Sequence, residues 1–294
     1  MSAHRSGMVA LAGRPNVGKS TLANALTGQH VAAVSPRPQT TRRRLAMAVH
    51  GGDWQAVLLD IPGFQTPRDQ LTKRMQATVD ETLSDCDAAL VMVNASEAVG
   101  SGDRFIAERV RAAGIPSIVV VNKVDEASPE QIARAITTIS PLLPEVLAVH
   151  PVSALTGDGL DALRDDLPRL LPEGPAFFPP GMTTHQTQEE LAEELVREAA
   201  LVRVRQEVPH ALAVQIEEIT PARSGIRVQA VMLVETESQK GILVGKGGQM
   251  IRDIGSSARR ALGAAWGEEL HLDLMIKVRP KWRRDESMLD RLGL

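Results

Sequence analysis

One nine-residue stretch, GRPNVGKST at residues 13–21, limits what this chain can fold into more than any other. A short apolar run at residues 8–12 precedes it, and a stretch with helical spacing follows it. In the order strand, turn and helix, this spacing of glycines, lysine and serine forms a phosphate-binding loop. The glycines let backbone N–H groups turn toward phosphate oxygens, and the helix N-terminus adds a positive dipole. The stretch predicts a bound nucleotide, with Lys19 on its β- and γ-phosphates and Ser20 on a magnesium ion.

Two later stretches, each directly after an apolar strand, indicate which base this loop accepts. The stretch NKVD at residues 122–125 ends in Asp125, whose carboxylate can accept hydrogen bonds from the ring N–H and the exocyclic amine of guanine. Adenine offers no such pair of donors. The stretch SAL at residues 153–155 can present the backbone N–H of Ala154 to the guanine carbonyl. Because adenine would leave the carboxylate unpaired, the two stretches favour GTP over ATP.

Two further stretches indicate how a third phosphate would be sensed. DIPG, at residues 60–63, ends an apolar strand and places Asp60 to hold magnesium through water, with the Gly63 backbone near the γ-phosphate. Thr41, in the stretch QTTR at residues 39–42, would complete the magnesium shell only with a triphosphate bound. Loss of the γ-phosphate would then release the loop. The predicted magnesium ligands are Ser20, Thr41 and Asp60.

The order of apolar and helical stretches predicts two domains. Unbroken apolar strands alternate with helices in the first half, which is typical of a mostly parallel sheet with helices on both faces. Residues 44–59 indicate an antiparallel hairpin, so one sheet edge is expected to be mixed. Prolines and glycines near residue 175 indicate a linker. We predict an α/β nucleotide-binding domain at 1–170, a linker at 171–184 and an α+β domain with a C-terminal tail at 185–294.

Composition excludes several classes of protein. A single cysteine, Cys86, rules out an internal disulfide framework, and the 2% aromatic content argues against a module that stacks nucleic-acid bases on aromatic rings. The net charge of −3 argues against a protein that coats nucleic acid, although residues 1–50 hold seven basic and no acidic side chains. No apolar run approaches the roughly 18 residues that a membrane span needs. We therefore expect a cytoplasmic protein.

Together, the stretches GRPNVGKS, QTTR, DIPG, NKVD and SAL resemble those of the Era GTPases. In the second domain, VGKGGQMI at residues 244–251 is similar to the G-x-x-G loop of a KH domain, and the order of the strands around it matches the type II KH fold. The resemblance covers essentially the whole chain. It implies a P-loop GTPase domain followed by a type II KH domain, with Mg²⁺ and GTP or GDP bound. It also implies hydrolysis of GTP to GDP, binding to the 3′ end of small-subunit ribosomal RNA, and assistance in assembling the small ribosomal subunit.

The glycine-rich loop of the second domain is the predicted RNA contact. Gly245 and Gly248 would let the backbone approach a phosphodiester, and Lys246 would add positive charge. Next to them, Ile242, Leu243 and Ile251 would line an apolar groove for unstacked bases. The predicted RNA-binding residues are Ile242, Gly245, Lys246, Gly247, Gly248, Ile251 and Arg252.

Two residues depart from the patterns of related GTPases, and a third bears on catalysis. Ile61 stands where the family usually has a small hydroxylated residue, and little loss is expected. Phe64 follows Gly63 where Ras-like enzymes carry a glutamine that orients the attacking water, so slow hydrolysis is expected. Asn16 occupies the position at which similar GTPases hold a potassium ion, which could stabilise transition-state charge. The predicted catalytic residues are Lys19, Thr41 and Asn16.

Two other functions remain open from the sequence. The first is an RNA-binding protein whose G domain holds nucleotide only for structure, and the second is a P-loop kinase or ATPase, against which Asp125 argues. We expect a monomer that contacts the small ribosomal subunit, and basic residues within 277–284 could support peripheral contact with the inner face of the cell membrane. The residues predicted to bind GTP are Gly13, Arg14, Pro15, Asn16, Val17, Gly18, Lys19, Ser20, Thr21, Asp60, Ile61, Pro62, Gly63, Phe64, Asn122, Lys123, Val124, Asp125, Ser153, Ala154 and Leu155.

Overall fold

The chain forms two compact units in the computed structural model, which describes residues 4–35, 37, 40–63, 68–143 and 145–294. The first unit contains the described residues within 1–32, 41–67 and 75–185. The second contains those within 33–40, 68–74 and 186–294. Two short segments from the first half of the sequence therefore belong to the second unit.

A six-stranded sheet organises the described part of the first unit, in the spatial order β2-β3-β1-β4-β5-β6. β2 and β3 are antiparallel, and the other neighbouring strands are parallel. The strands are β1 (Arg5–Gly13), β2 (Leu45–His50), β3 (Trp54–Asp60), β4 (Ala88–Asn94), β5 (Ser117–Asn122) and β6 (Val146–Val152). The helices are α1 (Lys19–Thr27), α2 (Gln70–Asp85), α3 (Ser101–Ala113), α4 (Pro129–Ile139) and α5 (Leu160–Asp166), of which α2 begins in the second unit.

Both faces of this sheet are covered, since the central strands β1, β4 and β5 are buried along most of their length. In β4, Leu90 and Met92 lie in one buried cluster, whereas Val91 and Val93 lie in the cluster on the opposite face. Parallel strands end at the same edge of a sheet, so the polar residues that follow β1, β3 and β5 come together there. This edge carries the candidate nucleotide site.

A three-stranded sheet organises the described part of the second unit, in the order β7-β8-β9. β7 and β8 are antiparallel, and β8 and β9 are parallel. The strands are β7 (Ala213–Pro221), β8 (Ile226–Val234) and β9 (Leu270–Val278). The helices are α6 (Gln188–Leu201), α7 (Val208–Ala211), α8 (Glu237–Val244), α9 (Gln249–Trp266) and α10 (Glu286–Arg291).

The core of the second unit closes over one face of its sheet. Residues of α6, α8 and α9 pack with the strands in a single apolar cluster. The C-terminal segment is anchored by Trp282, which is fully buried and donates its indole N–H to the Ala211 carbonyl at 2.8 Å. The two strands, two helices and third strand follow in the order expected for a type II KH domain.

The predicted fold class is confirmed, including the mixed edge of the first sheet, where β2 pairs antiparallel with β3. The short connection explains this edge, because only residues 51–53 lie between the end of β2 at His50 and the start of β3 at Trp54. The domain boundaries at residues 170 and 185 stay predictions. Over the described residues, we find no helix with the length and apolarity needed to cross a membrane.

Candidate nucleotide and RNA sites

The phosphate-binding loop connects β1 to α1, as the sequence predicts. Gly18 has a left-handed backbone (φ 98°), which turns the chain into the first residue of the helix. Lys19 is buried, and its ammonium donates hydrogen bonds to the carbonyls of Gly13 at 3.3 Å and Arg14 at 3.2 Å. Burial lowers the pKa of Lys19, and the charge of Asp60 opposes this shift. Because the charge of Asp60 offsets only part of the cost of burying the Lys19 ammonium, an anion bound in this loop would be stabilised.

Three oxygen-bearing side chains meet at the first turn of α1. Ser20 Oγ donates to Asp60 Oδ2 at 2.6 Å, and Thr41 Oγ1 donates to the same oxygen at 3.0 Å. The two hydroxyl oxygens are 3.1 Å apart. Asp60 is fully buried at the end of β3, so its carboxylate lies away from bulk water. Two hydroxyls and one carboxylate are a donor set that suits Mg²⁺.

The DIPG stretch divides between the core and the loop. Ile61 is fully buried among apolar residues, so any contact that it makes with a nucleotide runs through its backbone. Gly63 lies against the phosphate-binding loop, where a Cβ would stand 2.7 Å from the Pro15 backbone nitrogen. A side chain at position 63 would therefore push these two loops apart. Phe64, which we predict to bind GTP, and Gln39 of the QTTR stretch lie outside the described residues.

Asn122 holds three of the predicted motifs together, a role that the sequence pattern did not indicate. Its amide nitrogen donates to the Val17 carbonyl at 2.8 Å, and its amide oxygen accepts from the Ala154 N–H at 2.9 Å. A Cβ on Gly18 would stand 2.2 Å from the Asn122 nitrogen, so only glycine fits there. The Ala154 N–H, which we expected to face the guanine carbonyl, is engaged by Asn122 in this structure.

The other predicted base-side residues surround the end of β5. Asp125 is exposed in a short turn directly after the strand, and Lys123 has a left-handed backbone (φ 67°). Ser153 is fully buried, and its hydroxyl accepts from the Thr156 N–H at 3.1 Å, which shapes the following turn. Leu155 is 77% exposed, so its side chain is open to a ligand.

The remaining loop residues differ in their exposure. Asn16 is exposed at the outer turn of the phosphate-binding loop with a left-handed backbone (φ 66°), whereas Val17 packs into the core. Pro15, Thr21 and Val124 are half-buried, and Pro62 is buried.

In the second unit, the GKGG loop joins α8 to α9 through three glycines with positive φ, namely 71° at Gly245, 59° at Gly247 and 76° at Gly248. A Cβ at Gly245 would stand 2.6 Å from Met250 Cβ, so this position requires glycine. Lys246 is exposed, and Arg252 donates to the Gly247 carbonyl at 2.8 Å.

The prediction of an apolar groove beside this loop is partly wrong. Ile242 is 40% exposed and Ile251 is half-buried, and both could meet a base. Leu243, however, is fully buried in the core of the unit. Adjacent residues of a helix point in different directions, and here α8 turns Leu243 inward while Ile242 faces outward.

Comparison with known proteins agrees with this arrangement. Residues 8–123 match the family model described as "50S ribosome-binding GTPase", and residues 207–283 match the one described as "KH domain". A relative named "GTPase Era" in Mycobacterium tuberculosis is 45% identical over 300 residues, with 100% of both chains covered. The chain belongs to the Era family of GTPases. Another Era relative, from Mycobacterium sp. strain JLS, is 44% identical over 298 residues and likewise covers 100% of each chain.

Two solved Era structures share the whole architecture. The Era of Aquifex aeolicus, in a variant bound to GDP and AlF4⁻, is 36% identical and superposes with a TM-score of 0.93 over 98% of this chain and 99% of its own. An Era in complex with MgGDPNP and nucleotides 1506–1542 of 16S ribosomal RNA is also 36% identical, with a TM-score of 0.94 over 99% of both chains. This member of the Era family therefore combines a GTPase domain with a KH domain.

Proposed function

We propose that this Era family member is a GTP-dependent switch that binds the 3′ end of small-subunit ribosomal RNA and assists assembly of the small ribosomal subunit. One observation carries the proposal: a single chain contains both the Ser20, Thr41 and Asp60 cluster and an exposed GKGG loop. The Era solved with a GTP analogue and ribosomal RNA is similar over 99% of this chain, which supports the same pair of ligands here.

In this proposal the phosphate-binding loop holds the nucleotide through backbone N–H groups and the Lys19 ammonium. Lys19 would donate to a phosphate oxygen while it keeps the two loop carbonyls, since its ammonium has three N–H donors. Asp125, exposed at the end of β5, accepts hydrogen bonds from the guanine edge. Asn122 keeps the base-binding and phosphate-binding loops at a fixed separation.

Ser20, Thr41 and Asp60 fit a magnesium ion, because their oxygens already converge around one buried carboxylate. When bound, Mg²⁺ neutralises charge on the β- and γ-phosphates. Thr41 already donates to Asp60 in this structure, so its hydroxyl would be in place to add to the ion when a triphosphate is bound. Loss of the γ-phosphate would remove that interaction and release Thr41.

Asn16 supports a role for potassium in hydrolysis. Its side chain is exposed on the phosphate-binding loop, where the backbone is left-handed. A monovalent cation there would supply positive charge that other GTPases obtain from an arginine. Hydrolysis measured in KCl and in NaCl tests this role, and equal rates in the two salts would remove potassium from the account.

The GKGG loop supports RNA binding by shape and charge. Three of its four residues are glycines with positive φ, so only Lys246, which is exposed, carries a side chain. A phosphodiester can approach such a backbone closely, and the neighbouring Ile242 offers apolar surface to an unstacked base. Changing Lys246 to glutamate should weaken binding to all RNA sequences and make the salt dependence shallower.

The second unit supplies the basis for coupling between the two ligands. Its segment 33–40 ends next to Thr41 in sequence, and its segment 68–74 begins five positions after Gly63. Both segments are tied within the second unit, where Val34 N–H donates to Glu198 at 3.2 Å and Arg283 donates to Asp69 at 3.0 Å. Nucleotide-dependent changes at positions 41 and 63 are therefore passed to it along the chain.

We assign the protein to the cytoplasm as a monomer, with the small ribosomal subunit as its partner. Peripheral membrane contact through residues 277–284 stays a prediction. The description of the matching family model names the 50S, or large, ribosomal subunit, so a test of the partner must include both subunits.

The affinity for a non-hydrolysable GTP analogue, measured for the protein alone, with small subunits and with large subunits, tests the proposal. Because linkage is reciprocal, a partner whose affinity depends on GTP must also change the affinity for GTP. We expect small subunits to change GTP affinity, and large subunits to leave it as it is in the protein alone. A response only to large subunits would contradict the assigned partner.

The base preference is tested separately by Asp125→Asn. An asparagine side chain offers one acceptor and one donor, which suits the ring N–H and the adjacent C2 carbonyl of xanthine rather than the two donors of guanine. We expect GTP affinity to fall by about a hundredfold and xanthosine triphosphate to bind better than GTP. Unchanged preference for GTP would show that Asp125 does not contact the base.

A further inference from the structure

We propose that Asp103 on α3 is a positioning residue for the nucleotide site, which it acts on through Arg14 of the phosphate-binding loop. Arg14 Nε donates to Asp103 Oδ1 at 2.7 Å. The Asp103 side chain is 1% exposed and that of Arg14 is 27% exposed, so the bond lies largely out of water. The inference rests on the proposed phosphate-binding role of the loop, and it adds a residue that lies 89 positions further along the chain.

The carboxylate of Asp103 holds Arg14 in one orientation, because both of its oxygens are engaged. Oδ1 accepts from Arg14, and Oδ2 accepts from the Gly100 N–H at 2.8 Å, at the start of α3. Burial acts to lower the pKa of the Arg14 guanidinium, but the hydrogen bond and charge of Asp103, aided by Glu97, raise it above its ordinary value. A buried carboxylate without its cation would be strongly unfavourable, so the pair is difficult to separate.

This pair fixes the part of the loop on which Lys19 rests. The backbone carbonyl of Arg14 accepts a hydrogen bond from the Lys19 ammonium at 3.2 Å, next to the Gly13 carbonyl at 3.3 Å. The side chain of Arg14 is thus tied to α3 while its carbonyl holds the lysine. In this arrangement Arg14 contributes to nucleotide affinity by locating the loop, and it makes no direct contact with a phosphate.

The backbone of α3 leaves space for the pair. A Cβ at Gly102 would stand 2.7 Å from Arg14 Cδ and 3.1 Å from Arg14 Cγ, so a side chain there would displace Arg14. Gly102 lies in the first turn of a helix, where alanine is otherwise favoured over glycine. Glycine at position 102 therefore lowers the stability of the helix but leaves space for the Arg14 side chain.

The test compares the affinity for GDP and GTP in Gly102→Ala, Arg14→Ala and Asp103→Ala. Gly102→Ala keeps both charges and the bond from Asp103 to Gly100, and only moves Arg14. We expect each of the three changes to weaken the binding of GDP and of GTP by about tenfold, since a charged hydrogen bond contributes on the order of 1.5 kcal/mol or more. In an Arg14→Ala background, Gly102→Ala and Asp103→Ala should have no further effect on affinity.

Glu97→Ala is the matched control. Glu97 accepts from the same guanidinium at 3.1 Å, but its side chain is 56% exposed, and exposed pairs contribute little. We expect its GDP affinity to stay within about twofold of the wild-type value. Thermal unfolding of every variant is measured in parallel. Arg14→Ala leaves the buried Asp103 carboxylate without its cation and should be the least stable, while Gly102→Ala keeps both charges and should lose less stability.

Three results would overturn the proposal. The positioning role would be rejected if Gly102→Ala and Arg14→Ala bound nucleotide as tightly as the wild type while Lys19→Ala did not bind it. The assigned nucleotide site would still hold in that case. A loss in Arg14→Ala alone would give Arg14 a direct contact with the nucleotide. Wild-type affinity in Lys19→Ala would instead show that the assigned phosphate-binding loop is wrong.

Discussion

Asp60 carries more of the candidate metal site than either hydroxyl beside it. Both Ser20 and Thr41 donate to the same carboxylate oxygen, so the geometry of the cluster depends on this one side chain. Its full burial also means that water cannot replace a lost partner. The stretches at 13–21, 39–42 and 60–63 predicted these roles, because each side chain lies within a short local motif.

Asp60→Asn should separate nucleotide binding from hydrolysis. The amide keeps the size of the side chain but removes the charge that Mg²⁺ requires, so we expect GTP hydrolysis to fall by about a hundredfold or more. GDP should still bind, since the backbone of the loop and Lys19 are unchanged. Hydrolysis rates at increasing Mg²⁺ concentrations check this. A variant that hydrolyses GTP at the wild-type rate would contradict the assignment of Asp60 as a metal ligand.

Cys86 gives a prediction about stability at alkaline pH. Burial raises the pKa of its thiol from 9.0 to about 12. The thiol of the unfolded chain ionises near pH 9, whereas that of the folded chain stays neutral, so stability present below pH 9.0 is lost as pH rises toward 12. The free energy of unfolding in urea should therefore fall more steeply above pH 9 in the wild type than in Cys86→Ala. Equal slopes would contradict the buried, neutral thiol.

The phosphate-binding loop, β5 and the turn after β6 act together because Asn122 links them. Each element was predicted from its own residues, and their meeting at one sheet edge follows from parallel strands. The link itself was not predictable, because a single asparagine within NKVD gives no sign of which distant backbone groups it meets. The bond between Arg14 and Asp103 escaped prediction for the same reason. Leu243 was placed wrongly because spacing in a short helix does not show which side faces the core.

Asn122→Ala should weaken the site as a whole. The change leaves the Val17 carbonyl and the Ala154 N–H without their partner, at a cost of roughly 2 kcal/mol in unfolding free energy. Because the base-binding loop is then free to move, we expect GDP affinity to fall by more than about tenfold.

Asn24→Ala is a suitable control for that change. Asn24 lies on α1 and also bonds backbone groups, donating to the Ala32 carbonyl at 2.8 Å and accepting from the Val31 and Ala32 N–H groups. The Asn24→Ala variant should lose a similar amount of unfolding free energy but should bind GDP as tightly as the wild type. If both variants lose affinity equally, general destabilisation explains the effect and Asn122 has no special part in the site.

In the molecule as a whole, the nucleotide site and the RNA loop belong to different units, but the division does not follow the order of the sequence. Residues within 33–40 and 68–74 belong to the second unit and adjoin the two loops that would sense the γ-phosphate. Within that unit, Arg283 binds Asp69 at 3.0 Å and Glu235 at 2.7 Å, and Glu235 lies just before α8, the helix that leads into the GKGG loop. We therefore expect the affinity of the protein for RNA to depend on the bound nucleotide.

The most direct test is the affinity of the full chain for a single-stranded RNA from the 3′ end of small-subunit ribosomal RNA. It should be measured with a non-hydrolysable GTP analogue, with GDP and without nucleotide, and Lys246→Glu should serve as the control for binding at the GKGG loop. We expect the dissociation constant to differ by at least about fivefold between the GTP-analogue and GDP states, which corresponds to a coupling free energy of about 1 kcal/mol. The same dissociation constant in all three states would contradict the central claim that the nucleotide governs RNA binding.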